Sequence, residues 1–457
     1  MTGRLPVLVI VGRPNVGKST LFNRLTRSRD ALVADQPGVT RDRHYGFARV
    51  MDRDLIVVDT GGLGVEDENV DRLAARQTQL AIDEADAVLF VVDGRAGLLP
   101  GDTVVAGRLR GLAAPVHVLV NKAEGQPAEQ AAAEFHELGL GEPRAISAEH
   151  GDRVSAALEV IIDRLPSPSV SDQGDAATAT GPSDSIHLAV LGRPNAGKST
   201  LINRLLGEER MLALDQPGTT RDAIAADFER DGQAFRIVDT AGVRRRARVH
   251  DALEKFSVIK ALQAVEAAQV TLLVIDAQSG IGAQDARLLR AALERGRGVV
   301  IAINKWDGLS DEDRRFIKTE LSVTLNFADY LPLCFISALH GSGLGELLDT
   351  IRQVHAACFA TLSTPALSRA LEAAVQAHAP PAVHGRRIKL RYAHQGGRNP
   401  PRIVIHGNQT DRLGHEYKRY LTNRFRQAFA LQGTPVELVF RSGENPYEHR
   451  AGKKNPR

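Results

Sequence analysis

A nine-residue string, Gly12-Arg13-Pro14-Asn15-Val16-Gly17-Lys18-Ser19-Thr20, returns 180 residues later as Gly192-Arg193-Pro194-Asn195-Ala196-Gly197-Lys198-Ser199-Thr200. Both copies fit Gly-x-x-x-x-Gly-Lys-Ser, the pattern of a phosphate-binding loop. Its glycines let successive amide N–H groups converge on phosphate oxygens. Its lysine reaches the β- and γ-phosphates and its serine hydroxyl ligates Mg²⁺. One such match arises by chance in roughly one chain of this length in fifty to a hundred. Two matches in one register, behind the apolar runs Val7–Val11 and Ile186–Leu191, leave chance no part.

The same spacing of 180 separates Asp35 from Asp215, Thr40 from Thr220 and Asp59 from Asp239. It widens to 183 between Asn121 and Asn304 and to 190 between Ser147 and Ser337. A period this long means a duplicated domain, with small insertions late in the second copy. In the first copy the pattern predicts strand Val7–Val11, helix Lys18–Thr26 and a hairpin of His44–Met51 and Leu55–Asp59 turning at Asp52-Arg53. Strands at Ala87–Asp93, Pro115–Asn121 and Arg144–Ser147 then alternate with helices near Thr103–Gly111, Ala128–Leu138 and Arg153–Leu165. That alternation means an α/β fold, a mostly parallel sheet covered by helices on both faces. Residues 167–185, rich in Ser, Ala, Thr, Pro and Gly, read as a flexible linker. From Pro365 the order becomes helix Pro365–His378, strands Arg387–Tyr392 and Arg402–His406, helix Glu416–Leu431 and strand Val436–Arg441, a small α+β domain. The domains expected are therefore 1–166, 186–358 and 359–443, with a basic tail at 444–457.

Charge is unevenly placed along the chain. Residues 365–457 hold 17 Lys and Arg against 6 Asp and Glu, a net +11, and the remainder carries 41 against 49, a net −8. A basic end on an acidic body points to an anionic partner, with nucleic acid foremost. No apolar run approaches the roughly 20 residues of a membrane helix, so no membrane span is expected. Met1-Thr2-Gly3-Arg4 leads straight into a strand, which leaves no signal peptide to expect. Cys334 and Cys358 read as reduced thiols of a cytoplasmic protein, and Cys334 as a core residue.

A phosphate loop alone does not choose among kinases, ATPases and GTPases; its companions do. Asp59-Thr60-Gly61-Gly62 and Asp239-Thr240-Ala241-Gly242 close strands, where the carboxylate can hold Mg²⁺ through water and the glycine amide can meet a γ-phosphate. Thr40 and Thr220 stand in the preceding loops, placed to complete the Mg²⁺ shell with Ser19 and Ser199 when GTP is bound. Asn304-Lys305-Trp306-Asp307 fits Asn-Lys-x-Asp, whose carboxylate takes two N–H donors of guanine that adenine does not offer, and Ser337-Ala338 adds backbone contacts. The first copy reads Asn121-Lys122-Ala123-Glu124 with Ser147-Ala148, so its carboxylate is one methylene longer. Trp306 is expected to pack beside the guanine pocket.

This set of motifs resembles the TrmE–Era–EngA branch of translation-associated GTPases. The marks are both Gly-Arg-Pro-Asn loops, Asp-Gln-Pro-Gly-x-Thr-Arg-Asp twice, Glu254-Lys255-Phe256-Ser257-Val258, and Asn399-Pro400-Pro401 with His406-Gly407-Asn408. The resemblance covers nearly the whole chain. It implies GTP hydrolysis in assembly of the large ribosomal subunit and a KH-like third domain; the expected partners are GTP or GDP and the large subunit with its rRNA, and the expected state is a monomer. A tRNA-modification GTPase of the same branch would carry a separate cofactor or cysteine feature, which this chain lacks. A nucleotide-gated RNA-binding module with negligible hydrolysis is the other reading.

Ras-type enzymes orient the attacking water with a Gln just after Asp-x-x-Gly. Here those positions hold Leu63 and Val243, so charge stabilisation must come from elsewhere. In related GTPases an asparagine at the position of Asn15 and Asn195 ligates a K⁺ that bridges the phosphates; the alternative is that each only shapes its loop. Arg244-Arg245-Arg246-Ala247-Arg248 could meet rRNA, phosphate, the acidic body or solvent alone. No Gly-x-x-Gly follows Pro365, although that motif clamps the RNA backbone in ordinary KH domains. The expectation is that the third domain's sheet docks on a G domain, leaving Lys418, Arg419, Arg424, Arg426 and the tail for RNA.

Overall fold

The computed structural model describes residues 4–26, 44–60, 79, 81–165, 185–207, 226–238, 258–383 and 386–442. The expected linker before Ser185, the tail, Thr40, Thr220, Gly61, Gly62, Leu63, Asp239 to Val243, Arg244 to Arg248 and Glu254 to Ser257 lie outside the described residues. The chain divides into two compact units. One is Met1–Gln173 with Lys255–Glu266, the other Gly174–Glu254 with Ala267–Arg457.

The first unit is built on six strands in the order β2 (His44–Val50), β3 (Arg53–Asp59), β1 (Val7–Val11), β4 (Ala87–Asp93), β5 (Val116–Asn121), β6 (Arg144–Ala145). All neighbours are parallel except β2 with β3. Every side chain of β1 is fully buried, because helices cover both faces of a central parallel strand and a continuous apolar run satisfies both. Helix α1 (Lys18–Thr26) follows β1 and lays Leu21, Phe22 and Leu25 into the core. The hairpin turns one residue earlier than expected, at Met51-Asp52. Both residues take positive φ, 50° and 64°, the geometry that matches the twist of a two-residue hairpin. The helix expected at 128–138 splits into α3 (Ala128–Ala132) and a 3₁₀ turn, Ala133–Leu138; helix α2 (Pro100–Leu109) precedes it and α4 (Val154–Ile162) closes the unit.

The second unit repeats this plan. Its order is β12 (Leu333–Phe335), β11 (Gly298–Asn304), β10 (Val270–Asp276), β7 (Ser185–Leu191), β9 (Gln233–Val238), β8 (Ala226–Arg230), again with one antiparallel edge. Helices α5 (Lys198–Gly207), α7 (Ala283–Glu294), α8 (Asp311–Thr324) and α9 (Leu344–Cys358) surround it, and α6 (Val258–Ala267) precedes β10 in the chain.

The third domain has helix α10 (Thr364–Ala377), strand β15 (Leu390–Gly397), strand β16 (Arg402–Gly407), helix α11 (His415–Ala428) and strand β17 (Glu437–Ser442), after a two-residue pairing of β13 (Ala382–Val383) with β14 (Arg386–Arg387). Strand β15 begins three residues later than expected, and β16 pairs antiparallel with it and parallel with β17. Leu367, Leu371, Ile403, Ile405, Leu421 and Phe425 form a core of this domain's own.

Among the described residues, backbone hydrogen bonds from two turns tie the third domain to the second G domain. The Gly433 carbonyl accepts from Val299 N–H at 2.7 Å, its N–H donates to the Tyr330 carbonyl at 2.8 Å, and Asn399 N–H reaches the Cys358 carbonyl at 2.9 Å. Gly433 has φ 68°, and a Cβ there would stand 2.5 Å from a Val354 methyl. Only glycine fits both the turn and the approach. Arg426, expected to face RNA, instead lays its guanidinium 3.6 Å from the centre of the Tyr330 ring. A cation over a tyrosine face is attracted by the ring's quadrupole, so this side chain serves the joint. Arg419 and Arg424 remain exposed, and Lys418 leans over Phe440.

Candidate nucleotide sites

Each phosphate loop runs from the end of a buried strand into a helix N-terminus, β1 to α1 and β7 to α5. The loop is pressed flat against the sheet. A Cβ on Gly12 would lie 2.3 Å from the Val91 carbonyl oxygen, and one on Gly192 would lie 2.2 Å from that of Val274. Gly17 and Gly197, at φ 96° and 95°, would collide with the amides of Asn121 and Asn304. Those amides are the hub of each site. Asn121 Nδ2 donates to the Val16 carbonyl and its Oδ1 accepts from Ala148 N–H, both at 2.8 Å. Asn304 does the same with Ala196 and Ala338, at 2.8 and 2.9 Å. The asparagine of the base motif thus ties the phosphate loop to the Ser-Ala loop, and both amides are buried.

Lys18 and Lys198 curl back over their loops, each Nζ donating 2.6 Å to the carbonyl of Arg13 or Arg193. Burial pulls the Lys18 ammonium down to about 8, partly offset by Asp59 and reinforced by Arg13. A cation that burial disfavours gains most from a bound anion, and backbone N–H groups at a helix N-terminus favour the same charge. Ser19 Oγ donates to Asp59 Oδ2 at 2.7 Å. A hydroxyl and a carboxylate so close are hard oxygen donors that suit Mg²⁺. Thr60 anchors the strand end by donating to the Ile10 carbonyl at 2.9 Å. Ser199, Thr20 and Thr200 sit in the matching first turns. Pro14 and Pro194 form the turn ahead of Asn15 and Asn195, which take left-handed φ of 66° and 64°. The Asn15 carbonyl accepts from Lys122 Nζ at 2.9 Å.

Sequence reasoning counts the arginine of each Gly-Arg-Pro-Asn in the phosphate-binding string and misses its carboxylate partner. Arg13 Nε meets the fully buried Asp102 at 2.7 Å, and Arg193 Nε meets Asp285 at 2.6 Å. Each carboxylate also accepts from its own helix entry, at Leu99 N–H and Gly282 N–H. The arginines therefore pin the loop's outer arm to α2 or α7. The signal was present: Asp102 and Asp285 stand nine residues after Asp93 and Asp276.

At the base end Lys122 pairs with Asp93 and Lys305 with Asp276, both at 2.6 Å. The carboxylates that would read guanine differ. Asp307 lies against His340 at 3.1 Å, and the Ser337 hydroxyl, then its own backbone amide, hold its pKa below the usual range. It lines a cavity of about 310 Å³ with Gly197, Gln278, Asn304, Lys305, Ser337, Ala338 and Leu339. Glu124 is also held low, first by its own backbone amide and then by Ser147 and Arg95. It forms an ion pair with Arg95, whose counterpart in the second site is Gln278. Trp306 packs on Phe335, ring centres 4.3 Å apart. Cys334 is buried.

Comparison with known proteins agrees with this architecture. A family model described as 50S ribosome-binding GTPase matches residues 7–122 and again 187–305. A second, the KH-domain-like C-terminal domain of EngA bacterial GTPase enzymes, matches residues 361–441. The chain is 56% identical over 451 residues to GTPase Der of Thioalkalivibrio sulfidiphilus, covering 99% of this chain and 96% of that protein. It is 52% identical to GTPase Der of Methylococcus capsulatus, covering 99% and 96%. With GTPase Der of Chromobacterium violaceum the identity is 53%, covering 97% and 93%. Among the described residues no helix is long and apolar enough to cross a membrane.

Proposed function

This chain belongs to the GTPase Der family, and from that premise we propose that it couples GTP hydrolysis to late assembly of the large ribosomal subunit in the cytoplasm, acting as a monomer on the subunit and its rRNA. The observation that carries the reading is the joint between a GTPase domain and a basic RNA-type domain. Val299, Tyr330 and Cys358 of the second G domain hold the third domain through backbone hydrogen bonds, so a nucleotide-driven change in one is felt by the other.

In each site the amides of Gly12 to Thr20, or Gly192 to Thr200, would cradle the phosphates. Lys18 and Lys198 would exchange their loop carbonyls for β- and γ-oxygens. Ser19 with Asp59, and Ser199 with Asp239, would hold Mg²⁺, joined by Thr40 and Thr220. When bound, Mg²⁺ neutralises charge on the transferring phosphate. Asn15 and Asn195 would hold K⁺ beside the same phosphates. Asp307 and Glu124 would accept the guanine N–H pair, against the Ser337-Ala338 and Ser147-Ala148 loops, with Lys122 and Lys305 flanking the base.

Affinity from the +11 C-terminal region alone would be constant, yet an assembly factor must bind and then leave. Loops ordered by the γ-phosphate supply two states. Cosedimentation with large subunits, across a salt series, tests the reading. A GTP analogue is expected to support stable binding and GDP is not; equal binding in both overturns the gating. Removing Glu444–Arg457 is expected to weaken binding and flatten its salt dependence while GTP hydrolysis persists.

A further inference from the structure

The sheet of the third domain has one face covered by its helices and another on which, among the described residues, Tyr392 is exposed while Val404 is buried. Ala393, Ile403 and Ile405 point into the core beneath α10 and α11. Side chains alternate along a strand, so Tyr392, His394 and His406 share the opposite face. There Tyr392 pairs in register with His406, and His406 with Arg441. The rings gather into one cluster. Tyr392 and His406 lie parallel, centres 4.5 Å apart and 7° between planes, and His394 stands 5.2 Å from His406. Tyr392 keeps 45% of its surface exposed. Arg441, in register with His406, is exposed beside the rings, and Arg391, also exposed, precedes Tyr392 at the register irregularity. Arg402, further along the face, is committed to Glu437 at 2.8 Å.

We propose that this face is a stacking platform for an unpaired stretch of RNA, with bases continuing the Tyr392–His406 stack and phosphates meeting Arg391 and Arg441. The proposal rests on the reading that the protein engages rRNA, and it specifies which surface takes a single strand. Aromatic rings beside guanidinium groups are the chemistry by which proteins bind unpaired bases without reading sequence. A duplex, its bases already stacked, has nothing to offer Tyr392.

The test is binding of the full-length protein to a labelled twelve-nucleotide single strand of mixed U and A, and to a duplex of equal length, over a salt series. Wild type is expected to favour the single strand. Stacking of one base is worth roughly 1–3 kcal/mol, so Tyr392→Ala is expected to weaken single-strand binding about 5- to 150-fold with its salt slope unchanged. Tyr392→Phe is expected to restore it. Arg441→Gln is expected to lower the slope by about one ion's worth, ~0.7. GTP turnover of the Tyr392 variants, unchanged, verifies that they fold. Equal affinity for single strand and duplex, or wild-type affinity in Tyr392→Ala, overturns the platform. So does a protein that cosediments with large subunits but ignores the oligonucleotide; that result leaves the ribosomal reading standing and hands the face to a protein segment. A protein that binds neither overturns both.

Discussion

The two ends proposed to read guanine share one scaffold and differ in the acid and in one charge beside it. Asn121 and Asn304 make the same two hydrogen bonds, and Lys122 and Lys305 the same ion pair. The turn after each strand is also shared: Arg95 N–H and Gln278 N–H each donate 3.0 Å to the aspartate two residues before. Within that frame the second site presents a short Asp307. The first presents a longer Glu124, met by the permanent charge of Arg95. Each acid has a histidine at the matching place, His340 or His150. The duplication kept the parts that hold the loops together and let the base-reading end drift. Phosphate binding is then expected to be alike in the two sites, and base selection to be unequal.

The largest effect that would break this comparison is at Asp307. Asp307→Asn swaps one acceptor for a donor, so the second site is expected to lose guanine and take xanthine. The loss of a hydrogen bond to a charged group, roughly 1.5–3 kcal/mol, puts the drop in GTP affinity at about 10- to 150-fold. Titration with fluorescent GTP and xanthosine triphosphate checks it, in a chain whose first site is disabled by Lys18→Ala. Glu124→Gln, in the Lys198→Ala background, is expected to show a smaller drop because Arg95 already shares that carboxylate. Equal drops would mean that the two sites read the base alike.

Next in size is the cation. Asn15 and Asn195 take the same left-handed conformation, so both sites should respond to K⁺ if either does. GTP turnover in K⁺ is expected to exceed that in Na⁺ by more than about tenfold, or 1.4 kcal/mol of barrier. Asn195→Ala is expected to remove the second site's share and Asn15→Ala the first's. Turnover equal in the two salts would leave both asparagines as shapers of their loops.

What could be read from the chain and what could not follows a physical line. The phosphate loops, the strand-ending Asp59 and both Asn-Lys motifs were legible because they are local and occur twice. The turn at Met51-Asp52 was placed one residue late because positive φ at a methionine has no compositional mark. Strand β15 was placed early because Tyr392-Ala393-His394-Gln395-Gly396-Gly397 carries few apolar residues, its buried side resting on Ala393 and on Ser368, which bonds both the N–H and the carbonyl of Ala393. Arg426 was assigned to RNA because charge was legible and Tyr330, 96 residues earlier, was not. Arg95 was passed over for the same reason: its partner stands 29 residues away, and only the folded turn brings them together.

The smallest effect sharpens the comparison most, because it isolates Arg95. Its side chain is 64% exposed, and an ion pair so placed is worth roughly 0.2–1 kcal/mol. Guanine must share Glu124 with that pair, whereas at the second site Gln278 brings no charge to Asp307. Arg95→Gln copies the second site into the first. It is expected to tighten GDP binding there by about 1.4- to 5-fold, measured with the second site disabled by Lys198→Ala. Raised salt is expected to narrow the gap between Arg95→Gln and its parent, since screening weakens an exposed pair. A gap that persists at high salt would place the effect in the shape of the pocket. Looser binding in Arg95→Gln would mean that the arginine orients Glu124 towards the base, and the first site would then be a different solution to guanine recognition, with a longer acid steered by an arginine that the second site replaces with Gln278.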